Sequence, residues 1–218
     1  MGVEEGYQLK EHKRDFNKVA AEWDEEPRRV ELAAAVAAAI KQNVSFERQI
    51  VALEFGCGTG LVTFNLVDLV HHITVMDSAE GMLTVVAQKA EQLGVDNITT
   101  AHSCSVVPDL PARHYDLVFS SMVLHHVADV GLILQVLISS LKPGATIALA
   151  DLDSEDGTFH ADPTGVEHHG VDRQWLCDEL VNLGLINVQH TTAHTIVKKR
   201  PHGEQAYSVF FVWAQRSW

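Results

Sequence analysis

The chain has 218 residues, 46% of them hydrophobic and 21% charged, enough for one domain with a sizeable core. Its 29 acids against 16 bases give a formal net charge of −13, and no basic cluster exceeds Lys198, Lys199 and Arg200. That balance disfavours a nucleic-acid partner, whose backbone is held largely by Lys and Arg. No apolar run reaches the length of a membrane span, the acidic amphipathic start is unlike a signal peptide, and three scattered cysteines (Cys57, Cys104, Cys177) suggest reduced thiols in the cytoplasm.

Residues 1–45 read as helical. Phe16, Val19, Ala20 and Trp23 recur at helical spacing within residues 8–23. Pro27 suits the first turn of a second helix with Asp24 or Glu26 as its cap, and Leu32, Val36 and Ile40 mark its buried stripe along an alanine-rich run.

Residues 50–60 (IVALEFGCGTG) organise the rest of the chain. A short apolar run meets Glu54, then Gly56, Gly58 and Gly60 alternate, and a helix-periodic segment comes next over residues 61–70. The pattern predicts a buried strand, a tight turn and a helix start that offers unpaired N–H groups. There is no lysine for a phosphate-binding P-loop. A dinucleotide fingerprint would need glycine where Leu61 stands. A carboxylate at the strand end suits a ligand bearing an ammonium and a sulfonium. A second strand over residues 72–77 ends in Asp77, at the position where doubly wound folds bind ribose hydroxyls. Ser78 is a candidate N-cap for a helix over residues 79–93, stopped by Gly94.

E-x-G-x-G-x-G followed by DSAEGML resembles the first two motifs of the class I S-adenosylmethionine (SAM)-dependent methyltransferases. The resemblance implies a cofactor site built from Glu54, Phe55, Gly56, Cys57, Gly58 and Gly60, with Asp77 on the ribose and Ser78 and Met82 beside adenine. S-adenosylhomocysteine would be the product. The alternatives are a glycine turn of some other α/β protein and, for Asp77, a plain helix-capping acid. The segment FNKVAAEWDEEPRR is similar to the N-terminal cover of ubiquinone-biosynthesis-type C-methyltransferases. On that likeness Trp23 and Arg28 would touch the ligand; otherwise Trp23 is a core anchor and Arg28 a solvated cation.

A third strand is predicted over residues 97–101. Beyond it the family places a polar group on the adenine amine, and here the position holds Cys104, which leaves Ser105 or the backbone to read the base. Residues 115–127 (YDLVFSSMVLHHV) resemble the methyltransferase motif at the end of the central strand. This implies that Ser120, Ser121 and Met122 line the methionine end of SAM. His125 and His126 come directly after, either packing under the site or moving a proton. Asp129 caps a helix over residues 130–141, halted by Lys142, Pro143 and Gly144, and a fifth strand covers residues 145–150.

The loop 152–170 carries five acids and three histidines and is long for a strand–helix connection. His168 and His169 are candidate bases. With His160, Asp162 and Glu167 they also form a possible metal set or a merely solvated segment; no zinc-type spacing is present, and no metal is assigned. Asp172 caps a helix to about Leu183, and two β-prone runs, 185–198 and 204–214, flank a Pro/Gly turn as a hairpin.

Over residues 45–214 the resemblance implies an α/β, Rossmann-like, doubly wound seven-stranded sheet of order 3-2-1-4-5-7-6 with strand 7 antiparallel. The domain division expected is a helical cover, 1–45, and a SAM-binding methyltransferase domain, 46–218. The expected activity is methyl transfer to a small molecule by a monomer or homodimer, without nucleic acid or membrane. The rival readings are a nicotinamide-dependent enzyme of related fold and a catalytically silent SAM-binding subunit.

Overall fold

A computed structural model describes residues 15–46, 49–105, 107–200 and 203–218. A helical turn, α1 (Phe16–Val19), runs into a 3-10 stretch, Ala20–Glu25, and then α2 (Pro27–Asn43). The start expected for the first helix falls at residues 8–14, outside the described residues. Pro27 opens α2 as expected, but Glu26 occupies its N-cap without a side-chain cap bond. Its carboxylate instead grips Arg28 at 3.0 Å through both oxygens.

The sheet is built from β1 (Val51–Phe55), β2 (His72–Asp77), β3 (Ile98–His102), β4 (Tyr115–Ser121), β5 (Leu141–Leu152), β6 (Leu185–Arg200) and β7 (Gly203–Arg216). Between them lie α3 (Thr63–Leu66), α4 (Glu80–Leu93), α5 (Val130–Ser140) and α6 (Arg173–Asn182). The strand order is β3-β2-β1-β4-β5-β7-β6. The first five strands are parallel, and β7 runs antiparallel to both β5 and β6. This is the expected Rossmann-like sheet.

The central strands are buried on both faces, and their side chains alternate between two cores. Ala52, Leu117, Phe119, Ala148, Ala150 and Phe211 pack on the α2 side with Val36 and Ile40. Their neighbours Leu53, Val118, Ile147, Leu149 and Phe210 pack on the α5 and α6 side with Leu134, Leu137, Leu176 and Leu180. Asp129 caps α5 through the Leu132 N–H at 2.9 Å, and Asp172 caps α6 through the Trp175 N–H at 2.8 Å.

Three local expectations need correction. Ser78 is not the cap of α4: Ala79 holds that position, without a side-chain cap bond. The helix expected over residues 61–70 shrinks to one turn, α3, and a 3-10 turn at Val67–Leu69. The fifth strand begins earlier than residue 145, because Leu141 already pairs with Tyr115 before a register shift.

Candidate active site

In the order 3-2-1-4-5, successive strands leave β1 in opposite directions, so a crevice opens beyond the carboxyl ends of β1 and β4. A cleft of ≈ 520 Å³ lies there. Its floor is the glycine turn. Gly56 and Cys57 donate their N–H groups to Met76 O at 2.8 and 3.0 Å, tying the turn to β2. Gly56 has φ +72°, and a Cβ there would overlap the side chain of Val123 from the turn after β4. The two strand-end turns therefore touch at a position that only glycine can fill. Gly58, at φ +53°, has nothing within 4 Å of where a Cβ would stand, so its backbone borders open space.

Two carboxylates flank this floor. Glu54 is 1% exposed and accepts a hydrogen bond from Thr63 Oγ1. Burial, opposed by Thr63 and reinforced by Asp77, pushes its pKa up to about 8. Asp77 accepts from Gly58 N at 2.8 Å and from Ala79 N at 2.9 Å. Burial raises its pKa, against the pull of those same backbone bonds. Cys57 lies between them, its thiol pushed well up by burial and by both acids, and so is held protonated.

Of the residues named from sequence, Glu54, Phe55, Gly56, Cys57, Gly58, Asp77, Ser78 and Met82 line the cleft, as do Cys104, Ser105, Ser121, Met122 and Trp23. Gly60 and Ser120 do not. Gly60 turns the chain into α3, where Phe64 N bonds its carbonyl at 2.9 Å. Ser120 is buried and donates to Phe55 O at 2.7 Å, which stitches β4 to β1. Cys104 is exposed with its Sγ 3.3 Å from His102 Nε2, and Ser105 Oγ is turned to Val107 O at 2.7 Å.

The four candidate histidines separate. His125 and His126 line the cleft; His168 and His169 do not. His168 Nε2 is bonded to Val127 O at 2.9 Å, and the ring of His169 packs where a Gly157 Cβ would stand. The loop's contribution to the cleft is instead Phe159, His160 and Glu167. The loop is fastened over the end of β4: Glu167 N and His168 N both donate to His125 O, at 2.9 and 3.1 Å. Among the described residues no group of three or more His, Cys, Asp or Glu side chains is arranged to hold a metal ion.

Sequence reasoning misses two features. Asp24 accepts from Thr59 Oγ1 at 2.5 Å and pairs with Lys89, whose Nζ also donates to Thr59 O at 2.8 Å, so the N-terminal segment clamps the glycine turn. Asp151, at the end of β5, lies fully buried with Oδ1 2.5 Å from His125 Nδ1. Both are contacts between residues far apart in the chain, which spacing does not reveal.

Residues 53–149 match a family described as a methyltransferase domain. Among sequence relatives, an uncharacterized methyltransferase of Schizosaccharomyces pombe is 30% identical over 135 residues, 54% of this chain and 46% of that protein. A ubiquinone biosynthesis O-methyltransferase of Nitrobacter winogradskyi is 29% identical over 108 residues, 49% of this chain and 40% of that protein. The chain thus spans less than half the length of either relative. In fold it is similar to a SAM-dependent methyltransferase from Aquifex aeolicus, with a TM-score of 0.68 at 20% identity, covering 93% of this chain and 99% of that one. The chain thus carries a methyltransferase domain over residues 53–149, and in sheet order and fold it is similar to SAM-dependent methyltransferases.

Proposed function

We propose that this protein transfers the methyl group of SAM to a small-molecule acceptor, leaving S-adenosylhomocysteine. The observation that carries the reading is one cleft in which a glycine floor meets Glu54 and Asp77 at the strand-order reversal. The residues fit the cofactor. The open space at Gly58 admits a ligand against the backbone, and Asp77 keeps acceptor capacity for ribose hydroxyls beyond its two backbone bonds. Glu54 would ionise beside an ammonium or sulfonium, since a nearby positive charge offsets the burial that holds it neutral. Bound SAM supplies an electrophilic methyl on a cationic sulfur. The chain's part is to exclude water, align the acceptor and, where needed, take its proton.

Residues 1–45 serve as the cover and 46–218 as the methyltransferase domain: Phe16, Trp23 and Arg28 of the first segment line the cleft whose floor belongs to the second. His125 and His126 remain the candidates for proton transfer, and His168 and His169 act by holding the loop. The relative named an O-methyltransferase favours an oxygen acceptor. The net charge of −13 supports a small molecule over nucleic acid, and three free thiols support a cytoplasmic setting. No helix among the described residues is long and apolar enough to cross a membrane.

The test is incubation of the purified protein with methyl-labelled SAM and a small-metabolite extract, beside calorimetry with SAM and with NAD. SAM binding with label transfer supports the reading. SAM binding with no transfer to any metabolite points to a silent SAM-binding subunit, and NAD binding in place of SAM overturns the cofactor.

A further inference from the structure

His125 sits in the 3-10 turn Leu124–His126 beyond β4, and Asp151 is the penultimate residue of the adjacent β5. Asp151 Oδ1 lies 2.5 Å from His125 Nδ1 and also accepts from Leu152 N at 2.7 Å, while Oδ2 accepts from His125 N at 3.3 Å. The two side chains are 1% and 0% exposed. An imidazole that donates through Nδ1 to a carboxylate carries its neutral-form proton there and presents a lone pair at Nε2. His125 Nε2 is buried, has no hydrogen-bond partner among the described residues, and belongs to a side chain on the cleft wall. An apolar pair of the same volume would stabilise the fold at least as well as a buried carboxylate–imidazole pair, so its presence at the cleft is suited to chemistry.

The surroundings narrow the acceptor. Flat rings crowd the same wall: Phe16 lies 5.5 Å from His126, His126 5.7 Å from His160, and His160 5.1 Å from His125 and 4.8 Å from Phe159 between centroids. Such walls take a planar ligand. Arg28 and Lys198 line the same cleft. Lys198 donates to Phe159 O at 2.6 Å and has no carboxylate within ion-pair distance among the described residues. Arg28 is paired with Glu26 of the same wall, so Lys198 is the cation that opposes an ammonium acceptor and favours an oxygen that becomes anionic.

We infer that His125 is the general base, and Asp151 its positioning residue, for an aromatic hydroxyl acceptor of the phenol class. The inference rests on the methyl-transfer reading above. In the step, the acceptor's O–H bond breaks and its proton passes to His125 Nε2, giving an imidazolium beside the Asp151 carboxylate. The freed oxygen pair forms the bond to the methyl carbon as the carbon–sulfur bond breaks and returns its electron pair to the sulfonium. The proton then leaves to water. The groups that bear on His125 are Asp151 from β5, His126 in its own turn, and His160 and Glu167 from the loop; the other charged groups of the cleft are Glu26, Arg28, Arg29, Glu54, Asp77 and Lys198.

The experiment measures label transfer from methyl-labelled SAM to phenols graded in acidity up to a nitrophenol, with benzylamine and benzoate alongside, over a range of pH. The unaltered protein should methylate weakly acidic phenols, with a rate that falls on the acid side. His125→Gln should lose that acid limb. Asp151→Asn should lower kcat/KM on weakly acidic phenols by at least ~100-fold, with a much smaller loss on the nitrophenol and an unchanged Kd for SAM. Equal loss on every phenol would mark Asp151 as merely structural and overturn its positioning role. Wild-type rates in both variants overturn the dyad. Label passing to benzylamine or benzoate, or to no panel member from a protein that binds SAM, overturns the phenol class and leaves methyl transfer standing. Failure to bind SAM sinks the methyl-transfer reading instead. A measurement on the unaltered protein is independent of variant folding: nitrogen NMR of labelled histidine should find His125 protonated at Nδ1 and bare at Nε2, and the opposite tautomer overturns the dyad.

Discussion

Asp77 Oδ2 accepts the Gly58 N–H at 2.8 Å while Oδ1 accepts the Ala79 N–H at 2.9 Å, so one carboxylate holds the glycine turn of β1 and the entry to α4. The residue read from sequence as a ribose ligand is also the strut that shapes the turn. Asp77→Ala should therefore weaken SAM by about 1.5–3 kcal/mol and lower the melting temperature as well. Asp77→Asn, which keeps one acceptor oxygen, should lose less of both. Calorimetry decides it: wild-type SAM affinity in the alanine variant would place the ribose elsewhere.

Glu54 gives a pH signature. Its pKa rises from the ordinary 4.5 to about 8 on folding, chiefly through burial. The folded state thus holds this proton more tightly than the unfolded chain. The associated stability is fully present below pH 4.5 and is lost as pH climbs through about 8. Between those values Glu54 should make stability fall by up to ~1.4 kcal/mol per pH unit, and Glu54→Gln should remove that slope in denaturant titrations. SAM, a cation, should bind with release of the Glu54 proton below about pH 8. Calorimetry in buffers of different ionisation enthalpy reads that release, and none should occur in Glu54→Gln.

Gly56 and Gly58 look alike in sequence and differ in space. Gly56→Ala combines a positive φ with overlap on Val123 and should cost roughly 2–5 kcal/mol of stability. Gly58→Ala meets no neighbour and should cost only ~1–2 kcal/mol for its φ, while weakening SAM by filling the open side of the turn. Adding Val123→Ala should recover part of the loss at Gly56 and none at Gly58. Thermal melts of the single and double variants test this, and additivity of Gly56→Ala with Val123→Ala would refute the contact.

The parts legible in sequence are those written in local pattern. β4 covers residues 115–121, as its β-prone pattern suggests, and Asp129 and Asp172 cap their helices because N-capping is decided within three residues. Strand order comes from resemblance to a known family rather than from spacing. Ser78 does not act as a cap: the Gly81 N–H in the first turn of α4 is taken by Asn17 Oδ1, 64 residues away, at 2.7 Å. Gly60 and Ser120 belong to the right motifs, yet their atoms are spent inside the fold. Asp151 reads in sequence as no more than the end of a strand, since its meaning lies in His125, which reaches it only when β4 and β5 pair.

The charge balance makes a simple prediction about partners. With 29 acids and 16 bases, binding to random-sequence duplex DNA or to tRNA should be undetectable at physiological salt. A filter-binding titration showing sub-micromolar affinity that weakens steeply with added salt would contradict the small-molecule reading.

His168 supplies the contrast with His125. Its Nε2 meets Val127 O at 2.9 Å and its backbone N–H donates to His125 O at 3.1 Å, so it anchors the loop to the turn after β4 without lining the cleft. His168→Ala removes the side-chain bond and leaves the backbone one. Its cost should be about 0.5–1.5 kcal/mol, the usual net value of one hydrogen bond. The expected signature is faster amide hydrogen exchange across residues 153–171 and a raised KM for the acceptor. SAM affinity and the acid limb of the pH–rate profile should stay as they are, because the proton acceptor at the cleft is untouched. Loss of that acid limb in His168→Ala, with loop exchange unchanged, would instead make His168 the base and leave His125 as packing.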